Sequence, residues 1–212
     1  MKKSIVLKIS IFLLFFTSCY EVAKEIQDWT QTNASDLIIS KQHLLEDDGI
    51  KIGLPESFER YNMVDYTSLL DSLVVDNTDL EIEHTRLKIM REMEGNHYVF
   101  FDSISNSTYT INSVPFTPIT RQDAKFLLGI IRQNQDQVSS MTDLNYTKIT
   151  AKHNVSGNTQ IFKAIYKIEN TKLNHQAFQH VYFVSSNNKT VFINLSTPFE
   201  VNFDPYLEKM IL

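Results

Sequence analysis

Cysteine occurs once in the 212 residues, which excludes an internal disulfide and any metal site built from several thiolates. Glycine and proline are scarce, five of each, and neither a Walker A loop nor a Gly-x-Gly-x-x-Gly turn can be found. Basic residues are outnumbered, 20 against 25 acidic, for a formal net charge of −5. The basic footprint of a nucleic-acid binder is therefore missing. No apolar run reaches the roughly 20 residues needed to cross ~30 Å of hydrocarbon. What is present, 42% apolar and 21% charged residues, is the mix of a folded domain rather than of a disordered or coiled-coil chain. At this length one domain buries a full core with residues left over for a tail.

The first 16 residues are patterned for export. Lys2 and Lys3 give a positive start, and Ile5, Val6, Leu7 and Ile9 lead into the unbroken run Ile11-Phe12-Leu13-Leu14-Phe15-Phe16. The stretch is too short to span, carries Lys8 inside it and is basic only on its N-terminal side, as a signal peptide is. Phe16-Thr17-Ser18-Cys19 follows at once. This tetrad resembles the lipobox of bacterial lipoprotein signal peptides, with Phe16 standing where leucine is usual. The resemblance implies cleavage before Cys19, a thioether from Cys19 to diacylglycerol, and acylation of the new amino terminus. Two or more chains anchor stably where one is marginal, at ~0.8 kcal/mol per buried CH₂. The competing reading makes Cys19 a free thiol in a core segment, a liability in an oxidising compartment. Cleavage removes Lys2, Lys3 and Lys8, leaving 17 basic against 25 acidic residues and a net charge of −8. Such a body is repelled by anionic headgroups, so the lipid has to hold it at the membrane.

Residues 19–48 read as the lipidated cysteine and a polar tether, with Trp29 docked on the domain or near headgroups, and 49–212 as one globular domain. Ile50-Lys51-Ile52-Gly53-Leu54 alternates and stops at Pro55, as a strand does. Tyr66, Leu69, Leu70, Leu73 and Val74 recur at helical spacing, and 79–94 is rich in helix formers up to Gly95. Residues 97–104 and 108–114 form a hairpin pattern around Ser105-Asn106-Ser107. Thr120 and Asp123 make an approximate capping box for a helix over about 121–140. Four further strands are expected over 146–153, 159–169, 176–185 and 189–196, antiparallel because their joints are short. Asp204 as N-cap and Pro205 at N1 open a helix that runs to Leu212. The sum is an α+β fold, an antiparallel β-sheet of about six to seven strands covered by helices.

The early strand Gly49-Ile50-Lys51-Ile52-Gly53-Leu54-Pro55, the late strand Val191-Phe192-Ile193-Asn194-Leu195-Ser196-Thr197-Pro198 and the Phe203–Leu212 helix together resemble the PsbP-like family, many of whose bacterial members are small lipoproteins. The resemblance covers about 48–212 and implies an α-β-α sandwich. It brings no catalytic residues with it.

No constellation of residues announces a reaction. His43, His84, His97, His153, His175 and His180 are scattered, without a His-Glu-x-x-His spacing. They read as ordinary solvated or strand-edge residues, and His175 and His180, five apart on one strand, point to opposite faces. Glu81, Glu83 and His84 would ligate a metal only with a distant partner. Glu46-Asp47-Asp48 lacks the spacing of a calcium loop and reads as a solvated boundary. There is no Gly-x-Ser-x-Gly elbow. The pairs Tyr98/Phe100 and Tyr182/Phe192 could line a groove, but strand aromatics more often pack a core. Asn-x-Ser/Thr triplets such as Asn106-Ser107-Thr108 reflect an Asn/Ser/Thr-rich surface.

The sequence therefore predicts no catalytic, cofactor or metal residues and one modified residue, Cys19. The expected protein is non-enzymatic and lipid-anchored in the bacterial envelope, binding or assembling another envelope component. Tyr20 and Glu21, with no Asp after Cys19, resemble the sorting pattern that favours the outer membrane. The alternative is a small apolar-ligand carrier with a pocket between sheet and helix.

Overall fold

The computed structural model describes residues 40–73, 87, 88 and 90–212. Strands β1 (Lys41–Leu45) and β2 (Ile50–Leu54) form a separate antiparallel hairpin. The main sheet contains β3 (Glu59–Tyr61), β4 (Asn96–Asp102), β5 (Ser107–Pro115), β6 (Leu144–Ser156), β7 (Thr159–Asn170), β8 (His175–Ser186) and β9 (Lys189–Thr197). All seven are antiparallel to their neighbours, in the order β3-β4-β5-β9-β8-β7-β6. Helices α1 (Met63–Leu73), α2 (Arg121–Met141) and α3 (Asp204–Glu208) accompany the sheet. The chain is α+β, as its patterning predicts.

Alternation along the strands sorts the core onto two faces. On one, Tyr98, Phe100, Tyr109, Ile111, Tyr182, Val184, Ile193 and Leu195 pack beneath the β1–β2 hairpin and α3. On the other, Val99 and Phe101 meet Tyr66 and Leu70 of α1 together with Leu87 and Met90. Farther along that face Phe162, Ala164 and Tyr166 meet Ile119 and Ala124 at the start of α2. Each large apolar side chain so enclosed contributes ~1.5–3 kcal/mol. Tyr98, Phe100 and Tyr182 thus belong to the core, as the strand pattern predicts; Phe192 is half-buried on the opposite face against Phe183, with ring centroids 4.5 Å apart.

Local chemistry fixes the element ends. The Thr120 hydroxyl accepts from the Asp123 N–H while the Asp123 carboxylate accepts from the Thr120 N–H, a complete capping box. The long strands meet through turns with left-handed residues, Asn106, Gly157, Asn174 and Asn187.

Several elements differ from expectation. Strand β1 at Lys41–Leu45 falls inside the stretch read as tether, because Glu46-Asp47-Asp48-Gly49 is the turn of a hairpin: the Gly49 N–H donates to the Leu45 carbonyl at 2.8 Å, with Gly49 at φ 68°. The early strand β2 lies outside the main sheet for the same reason. The terminal helix is short, since Ile211 leaves it to bridge Lys51. Asp204 does not cap that helix, because its carboxylate is engaged by Lys163 at 2.6 Å. Of the helical pattern over 79–94, residues 87, 88 and 90–92 are helical, 93 and 94 form a bend, and the rest lies outside the described residues. The three-residue β3 is too short to leave a periodic signal.

Gly95 sits at φ 96°, and a Cβ there would overlap the Ser113 carbonyl oxygen. Gly157 has φ 57° with open space around it. Gly95→Ala is expected to cost about 1–3 kcal/mol in urea unfolding, and clearly more than Gly157→Ala, which adds left-handed strain without a clash.

Candidate functional site

Cys19, Glu81, Glu83 and His84 lie outside the described residues. The remaining histidines are dispersed. His43, in β1, sets its ring edge-on to Phe100 at 4.9 Å, and burial, then Lys41 and Arg60, lower its pKa. The His97 Nε2 lies 3.0 Å from the Met93 carbonyl, and the His153 Nε2 lies 2.9 Å from the Ile119 carbonyl. His175 is exposed at the start of β8. Among the described residues no group of three or more His, Cys, Asp or Glu is placed to hold a metal ion.

His180 departs from the solvated or strand-edge role expected of it. It lies on β8, between β7 and β9, and is fully buried, with Ile165 and Leu195 as its cross-strand neighbours. The Tyr182 hydroxyl lies 3.1 Å from its Nδ1, and its Nε2 has no partner among the described residues. Burial lowers its pKa from 6.5 to about 4; the nearby Lys163 ammonium pushes the same way and the Asp204 carboxylate opposes. A neutral imidazole tolerates this position where an imidazolium would be a buried charge. Periodicity set His180 on the face opposite His175 but gave no depth, which follows from two flanking strands and the cover over this face.

Asp48 likewise departs from the solvated boundary predicted for it. Its side chain is 3% exposed, although Glu46, two residues away, is largely open. Lys189 reaches it at 2.7 Å, the Tyr98 hydroxyl donates to it at 2.8 Å and the Asn96 amide at 3.2 Å. Burial alone would raise the carboxyl pKa; these hydrogen bonds outweigh it and hold the group below its ordinary value. The carboxylate therefore pins the tip of the β1–β2 hairpin to β4 and β9. Arg60 pins the same turn from the other side, through Glu46 at 2.8 Å and over the Tyr98 ring at 5.1 Å. The signal in sequence is slight, a lone Asp-Gly between two apolar alternations.

His180 is enclosed, and the Asp48 carboxylate is occupied by its three partners. The two ends of the main sheet differ. β3 presents three residues, whereas β6 presents thirteen, paired among the described residues only with β7. Its ladder is interrupted between Lys148 and Thr150, and Ile149 and Val155 are exposed, Val155 by 62%. Above this end of the sheet α2 exposes Phe126, Ile130 and Met141.

No family model matches this chain, and no curated protein matches it by sequence. Among solved structures, the solution structure of cyanobacterial PsbP (CyanoP) from Synechocystis sp. PCC 6803 is similar at TM-score 0.48 and 13% identity, covering 86% of this chain and 97% of that one. The crystal structure of the Saccharomyces cerevisiae Ran-binding protein Mog1p follows at 0.46 and 10%, covering 82% and 95%. A protein from Bacteroides thetaiotaomicron VPI-5482 is similar at 0.43 and 9%, covering 81% of this chain and 48% of its own. The PsbP-like resemblance of this fold is weak, and these likenesses extend to shape alone.

The described surface offers an open strand edge and a helix with exposed apolar side chains. Among the described residues no helix is long and apolar enough to cross a membrane.

Proposed function

We propose that this chain is a lipid-anchored protein of the bacterial cell envelope, held by lipid on Cys19, and that its α+β domain binds or assembles another envelope component without catalysing a reaction. The observation that carries the proposal is the Phe16-Thr17-Ser18-Cys19 tetrad directly behind a short basic-then-apolar segment, in a chain with no other cysteine. The net charge of −8 after cleavage supports it, because lipid then supplies the membrane affinity that charge denies. The open β6 edge and the apolar outer side chains of α2 support a binding role. Binding of a partner is favoured over carriage of a small apolar ligand because Tyr98, Phe100 and Tyr182, the aromatics proposed to line a pocket, are buried in the core. By the resemblance of Tyr20-Glu21 to the sorting pattern, the outer membrane is the expected destination.

Fractionation of cells carrying Cys19→Ala tests the anchor. The wild-type protein is expected to sediment with membranes and to take up a palmitate analogue. The variant loses the label and leaves the membrane fraction; label surviving the substitution contradicts the anchor. Affinity capture from detergent-solubilised membranes tests the binding role, with a stoichiometric partner expected and its absence counting against the proposal.

A further inference from the structure

A sheet edge differs in kind from an apolar patch, because its outward-facing N–H and C=O groups accept one class of occupant, another extended chain. β6 is such an edge, the long terminal strand of the main sheet. The opposite edge, β3, has three residues and is guarded by Arg60, which is tied to Glu46 of the hairpin. The break at Ile149 leaves the uninterrupted stretch 150–156, paired inwardly with 159–165.

Charge narrows the occupant. In a chain of net charge −5, residues 144–156 contain Lys148 and Lys152 and no carboxylate. Lys152 lies directly across from Lys163, whose ammonium already serves Asp204 at 2.6 Å. Like charges directly opposite on adjacent strands are destabilising. Lys152 has no ion-pair partner among the described residues. A strand added outside β6 places one side chain beside Lys152 at the cross-strand distance of about 5 Å. An acidic side chain there gives the Lys152 ammonium the partner that Lys163 already has in Asp204. A second copy of this chain, paired two-fold along 150–156, instead sets Lys152 diagonal to its own counterpart. Val155, 62% exposed and three residues from Lys152, lies on the other face of the strand.

We infer that the 150–156 edge of β6 is a strand-addition site for an extended acidic segment of a partner protein, one carrying Asp or Glu beside Lys152 and an apolar residue three positions away beside Val155. This rests on the binding role proposed above and names the partner's chemistry.

The test uses the full-length protein in detergent micelles and two fluorescent nine-residue Thr/Val strand peptides, identical except for Glu or Lys at the position three residues from a fixed Val. Anisotropy is expected to show the Glu peptide binding roughly tenfold tighter than the Lys peptide, with Lys152→Glu reversing the order. Hydrogen exchange is expected to slow at 150–156 when the Glu peptide is added. Equal affinities, indifference to Lys152→Glu, or protection appearing elsewhere overturns the assignment. Concentration-dependent protection of 150–156 without peptide also overturns it, by making a second copy the occupant. If wild-type protein captures a membrane partner and Lys152→Glu captures it equally well, the edge assignment fails while the binding role stands. If neither captures a partner but peptide discrimination holds, the edge assignment stands and the envelope-binding role fails.

Discussion

Asp48→Ala is expected to lower the unfolding free energy by about 3–5 kcal/mol, the cost of removing one member of a buried ion pair. The carboxylate is the common acceptor for Lys189, Tyr98 and Asn96. Without it the Tyr98 hydroxyl and the Lys189 ammonium lose their acceptor beneath the hairpin turn. Lys189 is 33% exposed, so water recovers part of its solvation and the lower end of the range is expected. Asp48→Asn keeps the shape and some hydrogen bonds, and is expected to cost less. Asp47→Ala, one residue away and exposed, is expected to stay within about 0.5 kcal/mol. Urea unfolding of the three variants at neutral pH measures the series. Because the β1–β2 hairpin covers the larger core cluster, hydrogen exchange in Asp48→Ala is expected to rise first in 41–54. Equal losses in Asp47→Ala and Asp48→Ala would sink the assignment of Asp48 as the pin.

Acid is expected to act through His180. Its pKa is about 4 in the folded chain against 6.5 when unfolded. Between these values the unfolded chain binds a proton that the folded chain refuses, so stability rises with pH across that window. The contribution is complete above about 6.5 and is lost as pH falls towards 4. At about 1.4 kcal/mol per pH unit it amounts to about 3 kcal/mol. The groups facing the ring set the sign. Burial dominates, Lys163 from β7 adds to it, and Asp204 at α3 opposes it. Asp48 acts lower, its stabilisation being present above the ordinary carboxylate range and lost beneath it. His180→Gln, neutral at every pH, is expected to flatten the wild-type decline between pH 6.5 and 4 while leaving the steeper loss at lower pH. Denaturant unfolding at half-unit pH steps checks this, and a variant curve parallel to the wild-type curve would remove His180 from the account.

The sheet was legible in the sequence because its strands are long and their turns chemically marked. Ser156-Gly157-Asn158 and Ser186-Asn187-Asn188 lie where β6 meets β7 and β8 meets β9, and Thr120/Asp123 caps α2 as its spacing predicts. What escaped was decided by tertiary contact. Asp48 reads as solvent-facing beside Glu46 and Asp47, and only the arrival of Lys189, distant in sequence, buries it. His180 alternates correctly, yet no local pattern states that β7, β9 and the cover on that face will enclose it. Asp204 followed by Pro205 carries every local mark of an N-cap, and a single lysine from β7 takes its carboxylate. The β6 edge was invisible for another reason, since a strand's place in the sheet order depends on pairings that its own residues do not encode.

The proposed membrane anchor is the sulphur of Cys19, and mass spectrometry of the N-terminal peptide of protein extracted from native membranes reads it directly. The account predicts a chain beginning at Cys19, with diacylglycerol on Sγ and mass in excess of the bare residue at the amino terminus. A peptide with an unmodified Cys19 thiol, or one still joined to residues 1–18, would contradict it.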